Sequence, residues 1–155
     1  MAVGRARGDR GAPAPGRGPA WLAPWTLAAL DALTGASAVY GGAELIRDGF
    51  GMPDGWLAGT PLTGWVLPGI ALLIGVAVPQ FTAAVLIAAG VRPGLAAGWL
   101  AGLLLIAWIA VELLILRRYL FLQPVIAGIG AAEILLAWRW QRSGKIVTPV
   151  RDQGL

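Results

Sequence analysis

Four apolar blocks, each long enough to cross a bilayer, alternate with short polar breaks along this chain. The first runs from about Trp25 to Leu45 and the second from about Trp65 to Ala89. The third runs from about Leu95 to Leu116 and the fourth from about Tyr119 to Trp140. About 20 helical residues cross about 30 Å of hydrocarbon, and every block reaches that length. The links "GVRPG" and "RRY" are short, and short links make consecutive helices antiparallel neighbours. The pattern predicts an all-α integral membrane protein, an up-down four-transmembrane-helix bundle over 21–140. Residues 1–20 are rich in Gly, Pro and Arg without an apolar face, and are expected to be a disordered tail. Residues 141–155 form a second, polar tail.

Several details test this pattern. Basic residues, an apolar run and Ala36-Ser37-Ala38 mimic a cleavable leader. Asp31 inside the run and the apolar chain beyond Ala38 favour a retained helix instead. Pro68 and Pro79 lie within the second span, and a kink is expected near Pro79. The Arg7-Gly8-Asp9 tripeptide is read as chance in an Arg/Gly-rich tail.

Composition agrees with the pattern. Of 155 residues, 57% are hydrophobic and 13% charged, where soluble domains have about 25% charged residues. There is no cysteine and no histidine, which excludes disulfides, thiol chemistry, Cys/His zinc sites and histidine catalysis. No cofactor or metal site is expected. The net charge is +4, but position matters more than total. With both tails cytoplasmic, the inside holds Arg5, Arg7, Arg10, Arg17, Arg92, Arg139, Arg142, Lys145 and Arg151. The outside holds Arg47, Arg117 and Arg118. This bias places both termini inside and makes membrane lipids, not nucleic acid, the partner of the basic residues. Trp21, Trp25, Trp138 and Trp140 would form an inner aromatic belt, and Trp56, Trp65 and Tyr119 an outer one. Eleven of the twelve basic residues are arginine, a bias expected of GC-rich bacterial coding and hence of a bacterial inner membrane.

Small residues mark the expected helix contacts. Gly94, Gly98 and Gly102 are four apart and line one face of the third span. Asp31, Gly35, Ala38 and Gly42 fall within about 60° on the first. Both stripes are read as the bundle interior, with a homo-oligomer seam or a membrane-protein partner as the alternative.

Polar groups at membrane depth fall into two layers. The inner layer holds Asp31, Gln80 and Glu133, with Asp31 and Glu133 each about 10 Å inside the aromatic belt. Gln80 follows Pro79, and its amide is expected to serve hydrogen bonds freed by the proline. Two carboxylates at low dielectric would share a proton, which suits a relay, but no nucleophile or phosphate-binding loop accompanies them. The outer layer holds Glu44, Glu112 and Gln123, with Arg47, Arg117 and Arg118 just above. Glu44 and Arg47, three apart, can pair locally. Glu112 continues the glycine face and is expected to seek Arg47, Tyr40 or Gln123 on other helices.

The only long link, Arg47 to Trp65, has five glycines and two prolines in nineteen residues. Thr60 is expected to cap the second helix, with Pro61 in its first position. The stretch is read first as an ordered cap joining two helices and second as a lid over Glu112. Gly41-Gly42, Gly51-Met52-Pro53, Thr60-Pro61, Pro68-Gly69 and Gln123-Pro124 together resemble a widespread group of small, uncharacterised four-span bacterial membrane proteins of actinobacterial type. The resemblance covers most of residues 35–140. It implies the fold and no activity. An uncharged glutamine is expected near Glu112 in that group, so a charge there is not a requirement of it.

The function expected from these residues is a structural or accessory multi-pass protein. The runner-up is a binder or carrier of a lipid-like or small polar ligand, held by Glu112, Gln123 and Arg47 under the 47–64 loop. An enzyme comes third, with no catalytic residue assigned.

Overall fold

The computed structural model of this chain describes residues 22–143. Expectations for residues 1–20, for Trp21 and for the C-terminal tail beyond Ser143 lie outside the described residues. Four long helices account for most of the rest. Helix α1 spans Leu22–Asp48 and α2 spans Val66–Ala88. Helix α3 spans Gly94–Leu116 and α4 spans Leu122–Arg142. Two short 3-10 turns, Gly49–Gly51 and Asp54–Leu57, shape the link after α1. There is no strand among the described residues.

The distortion expected near Pro79 takes the form of a π turn over Leu73–Ala77. Pro79 has no N–H for the carbonyl four residues back. The helix widens just before it, and the Val78 N–H reaches back to the Leu73 carbonyl instead. Helix α3 stops where Arg117 turns left-handed (φ 49°) and returns its N–H to Leu113 O at 3.0 Å. Helix α4 starts later than expected, at Leu122, with Pro124 in its first turn, where no N–H is required.

The expected helix start at Thr60-Pro61 is corrected. The Thr60 hydroxyl donates to Leu57 O (2.7 Å) and accepts from Leu62 N (3.2 Å), so it is spent on a turn. Helix α2 begins only at Val66, and the proline in its first turn is Pro68.

Each helix packs on its chain neighbours, and α1 also meets α4, which closes the ring. The contacts run antiparallel. Leu27 near the start of α1 clusters with Ile87 near the end of α2 and with Ala137 and Trp140 near the end of α4. A second apolar cluster gathers Ala38, Val76, Ala77 and Leu105 further along, with Ile126 and Ile129 against it. Outside this interior the helices present large apolar side chains, among them Leu33, Leu67, Ile74, Val85 and Leu114. Three helical segments, Leu22–Gly51, Val66–Ala88 and Gly94–Leu116, are long and apolar enough to cross a membrane. Helix α4 is not among them; it contains Gln123, Glu133, Arg139 and Arg142.

Candidate functional site

Two glycine pairs set how closely the helices approach. A Cβ on Gly69 of α2 would stand 2.7 Å from the Gly42 carbonyl oxygen of α1, and one on Gly42 would stand 3.0 Å from Gly69 O. Gly102 of α3 and Gly130 of α4 are reciprocal in the same way, at 2.9 and 3.0 Å. Real Cβ atoms essentially never come within 3.0 Å of backbone, so glycine is required at Gly69 and Gly102, while at Gly42 and Gly130 a Cβ would press the facing carbonyl. The other glycines of the two stripes also face neighbouring helices. Gly35 lies against the Phe81 ring, Gly94 against Leu86 O, and Gly98 against Leu27 and Ile87. Sequence reasoning did not pick out Gly69 or Gly130 as packing residues, because each takes its meaning from the helix opposite.

The inner polar residues meet between the two apolar clusters. On α1, Asp31 lies between Ala28 of one cluster and Ala38 of the other. On α2, Gln80 lies between Ala83 and Ala77, and on α4, Glu133 lies between Ala137 and Ile129. Asp31 and Glu133 are 0% exposed and Gln80 is 1% exposed. Gln80 Nε2 donates to Glu133 Oε2 at 3.0 Å, joining α2 to α4 across the ring. Thr34 Oγ1 lies 3.2 Å from Glu133 Oε1 and 2.9 Å from its own helix's Leu30 O. Thr34 was missed from sequence, although it lies one turn beyond Asp31 on the same face. Gly102 makes room for this layer: a Cβ there would come within 3.2 Å of Glu133 Cβ.

Glu133 is therefore partnered, by Gln80 and by a Thr34 hydroxyl that it shares with Leu30 O. Asp31 is not: neither of its carboxylate oxygens has a hydrogen-bond partner, and neither has Gln80 Oε1. Buried acceptors of this kind are normally satisfied.

The outer polar residues are organised differently. Arg47 pairs with Glu44 and Asp48, and its side chain is 68% exposed. Trp108 Nε1 donates to Glu112 Oε1 at 2.8 Å, one turn along the same helix. The Gln123 side chain lies beside that carboxylate. Gln123, 2% exposed, also accepts from Leu120 N (3.0 Å) and donates to Arg118 O (3.4 Å), which holds the link into α4. The structure thus brings Glu112 and Gln123 together and leaves Arg47 on its own helix. Tyr40 does not join them either; its ring meets Phe50 edge-on at 6.1 Å.

The 47–64 link folds back over this end. Leu57 is buried, and the Arg118 guanidinium lies 5.3 Å from the Trp56 ring centroid. Gly49 is left-handed (φ 69°), and a Cβ on it would stand 2.5 Å from Trp65 Cδ1. Glycine alone serves at that position, for conformation and for space.

Among the described residues no three acidic, histidine or cysteine side chains gather as a metal site. Compared with known protein families, with curated proteins and with solved structures, the chain matches none.

Proposed function

We propose that this chain is a four-span membrane protein of the bacterial inner membrane with a structural or accessory role, both termini facing the cytoplasm. The observation that carries this reading is the division of its polar groups. Inside, Glu133 joins α4 to Gln80 of α2 and Thr34 of α1, and at the outer end Arg47 and Glu112 find hydrogen-bond partners on their own helices, while the exposed helix faces are apolar. Helix α4 fits as a fourth span. Its 21 residues extend about 31 Å. Gln123 and Glu133 are buried, and Leu122, Val125, Leu135 and Trp138 are on its exposed face. Exposed Trp25 and Trp138 lie at one end and exposed Tyr119 at the other, as interfacial aromatics do. The bundle reading rests on the antiparallel ring, and the inside orientation rests on the basic residues.

The carrier reading is weaker because Arg47 is engaged by Glu44 and Asp48, and Glu112 by Trp108. Native mass spectrometry of the protein, extracted in lipid nanodiscs from its own membrane, separates the two. The accessory role predicts a second protein at fixed stoichiometry, unchanged by Glu112→Gln. A lone bundle holding a specific lipid or small molecule, lost in Glu112→Gln, would replace that role with the carrier. Orientation is tested separately. The chain has no cysteine, so single-cysteine variants label cleanly. Asp54→Cys should react with an impermeant thiol reagent on intact cells, and Ser143→Cys only after permeabilisation.

A further inference from the structure

The layer around Asp31 is rich in acceptors and poor in donors. Asp31 Oδ1 and Oδ2 and Gln80 Oε1 are all buried and unpartnered. The Gln80 amide is held in the layer by its own bond to Glu133 Oε2, which fixes Nε2 as the donor and leaves Oε1 bare. Thr34 has one hydroxyl proton for two acceptors, Leu30 O and Glu133 Oε1. Asp31 is close enough to Glu133 for their charges to interact. Two carboxylates at low dielectric, with no cationic side chain in contact, need positive charge from elsewhere.

Nothing in the surrounding helices supplies it. The only titratable side chain on α3 is Glu112, ten residues past Gly102 and about 15 Å along the helix. On α2 the layer is faced by Gln80, and the described part of α2 contains no Arg, Lys, Asp or Glu. On α1, Arg47 lies sixteen residues beyond Asp31, and on α4, Arg139 lies six residues beyond Glu133 and is exposed. With only two carboxylates, the layer suits a singly charged ion better than a divalent metal, which takes more anionic oxygen ligands.

We propose that Asp31, Glu133 and Gln80 form a buried binding site for a small monovalent cation, a proton or a sodium-sized ion. Charge balances at two positive charges: one proton held by Glu133, whose O–H can donate to the Thr34 oxygen, and at Asp31 either a second proton or a metal ion. Glu133 already accepts from Gln80 and faces the Thr34 hydroxyl, so the exchangeable position is at Asp31. A proton there gives Asp31 a donor for the bare acceptors of the layer. A sodium-sized ion would take the place of that proton, which leaves as the ion enters. The inference rests on burial and hydrogen bonding inside the helices and does not depend on the accessory role.

Infrared spectroscopy of the full chain in nanodiscs tests it. The expected result is a protonated carboxyl C=O band that Asp31→Asn removes and that isotope-labelled aspartate shifts in the unmodified protein. The label keeps the test valid if the variant does not fold. Replacing choline chloride by sodium chloride at fixed pH then distinguishes the ions. Loss of the band, with one proton released to an indicator dye per sodium bound, assigns the site to the metal ion. A band that responds to pH and not to sodium assigns it to the proton. If labelled aspartate gives no buried carboxyl band and sodium releases no proton, the proposal is overturned.

Discussion

The inner and outer polar layers use the same residue types to different ends. In the inner layer, Gln80 and Thr34 reach Glu133 over 53 and 99 residues of sequence, and both contacts join two helices. In the outer layer, Arg47 turns to Glu44, Glu112 to Trp108, and Gln123 mainly to the link just before its own helix, with Glu112 of α3 beside it as an interhelical neighbour. Depth explains the difference. At the outer end a charge can reach headgroups and water, and a neighbour one turn away is enough. In the interior no solvent is available, and a carboxylate such as Glu133, which cannot accept from its own helix's carbonyls, takes its donors from other helices. A polar residue at membrane depth is therefore informative in proportion to how far from water it lies.

Substitutions test this contrast, with stability read by reversible unfolding in bicelles. Gly102→Leu should have the largest effect, about 3 kcal/mol, because it pushes on Gly130 O and on Glu133 together. Glu133→Ala should cost about 2 kcal/mol, since it strands the Gln80 amide and removes the interhelical contacts to Gln80 and Thr34. Gln80→Ala should cost about 1 kcal/mol, the range of a single interhelical hydrogen bond in a membrane. Glu112→Gln and Arg47→Ala should each change stability by less than about 0.5 kcal/mol. Equal losses for Glu133→Ala and Glu112→Gln would erase the distinction between the layers.

Much of the fold was legible because long apolar blocks and period-four glycines are strong local signals. The helix limits that moved did so for reasons outside local pattern. Helix α4 starts late because the Gln123 side chain ties down Arg118 and Leu120 first. Thr60-Pro61 misled because a threonine before proline can open a helix or close a turn, and the Leu57 carbonyl decides between them. In the outer layer, Glu112 and Gln123 were readable as neighbours. Arg47 was readable as the local partner of Glu44, three residues away, and that pairing keeps it from the ligand set with Glu112. Gly69 and Gly130 were opaque as contacts, since an isolated glycine in an apolar run says nothing about what approaches it.

The two reciprocal glycine pairs have a consequence for how the chain divides. Gly42 with Gly69 clasps α1 to α2, and Gly102 with Gly130 clasps α3 to α4. Each half is thus a helical hairpin with its own backbone fastening. The buried hydrogen bonds of Glu133 run from the second hairpin to Gln80 and Thr34 of the first. Between the hairpins the chain passes through residues 88–93, all exposed. The protein is in this sense two complementary pieces on one thread. Severed at that thread and made as separate polypeptides, the pieces retain the surfaces by which each recognises the other.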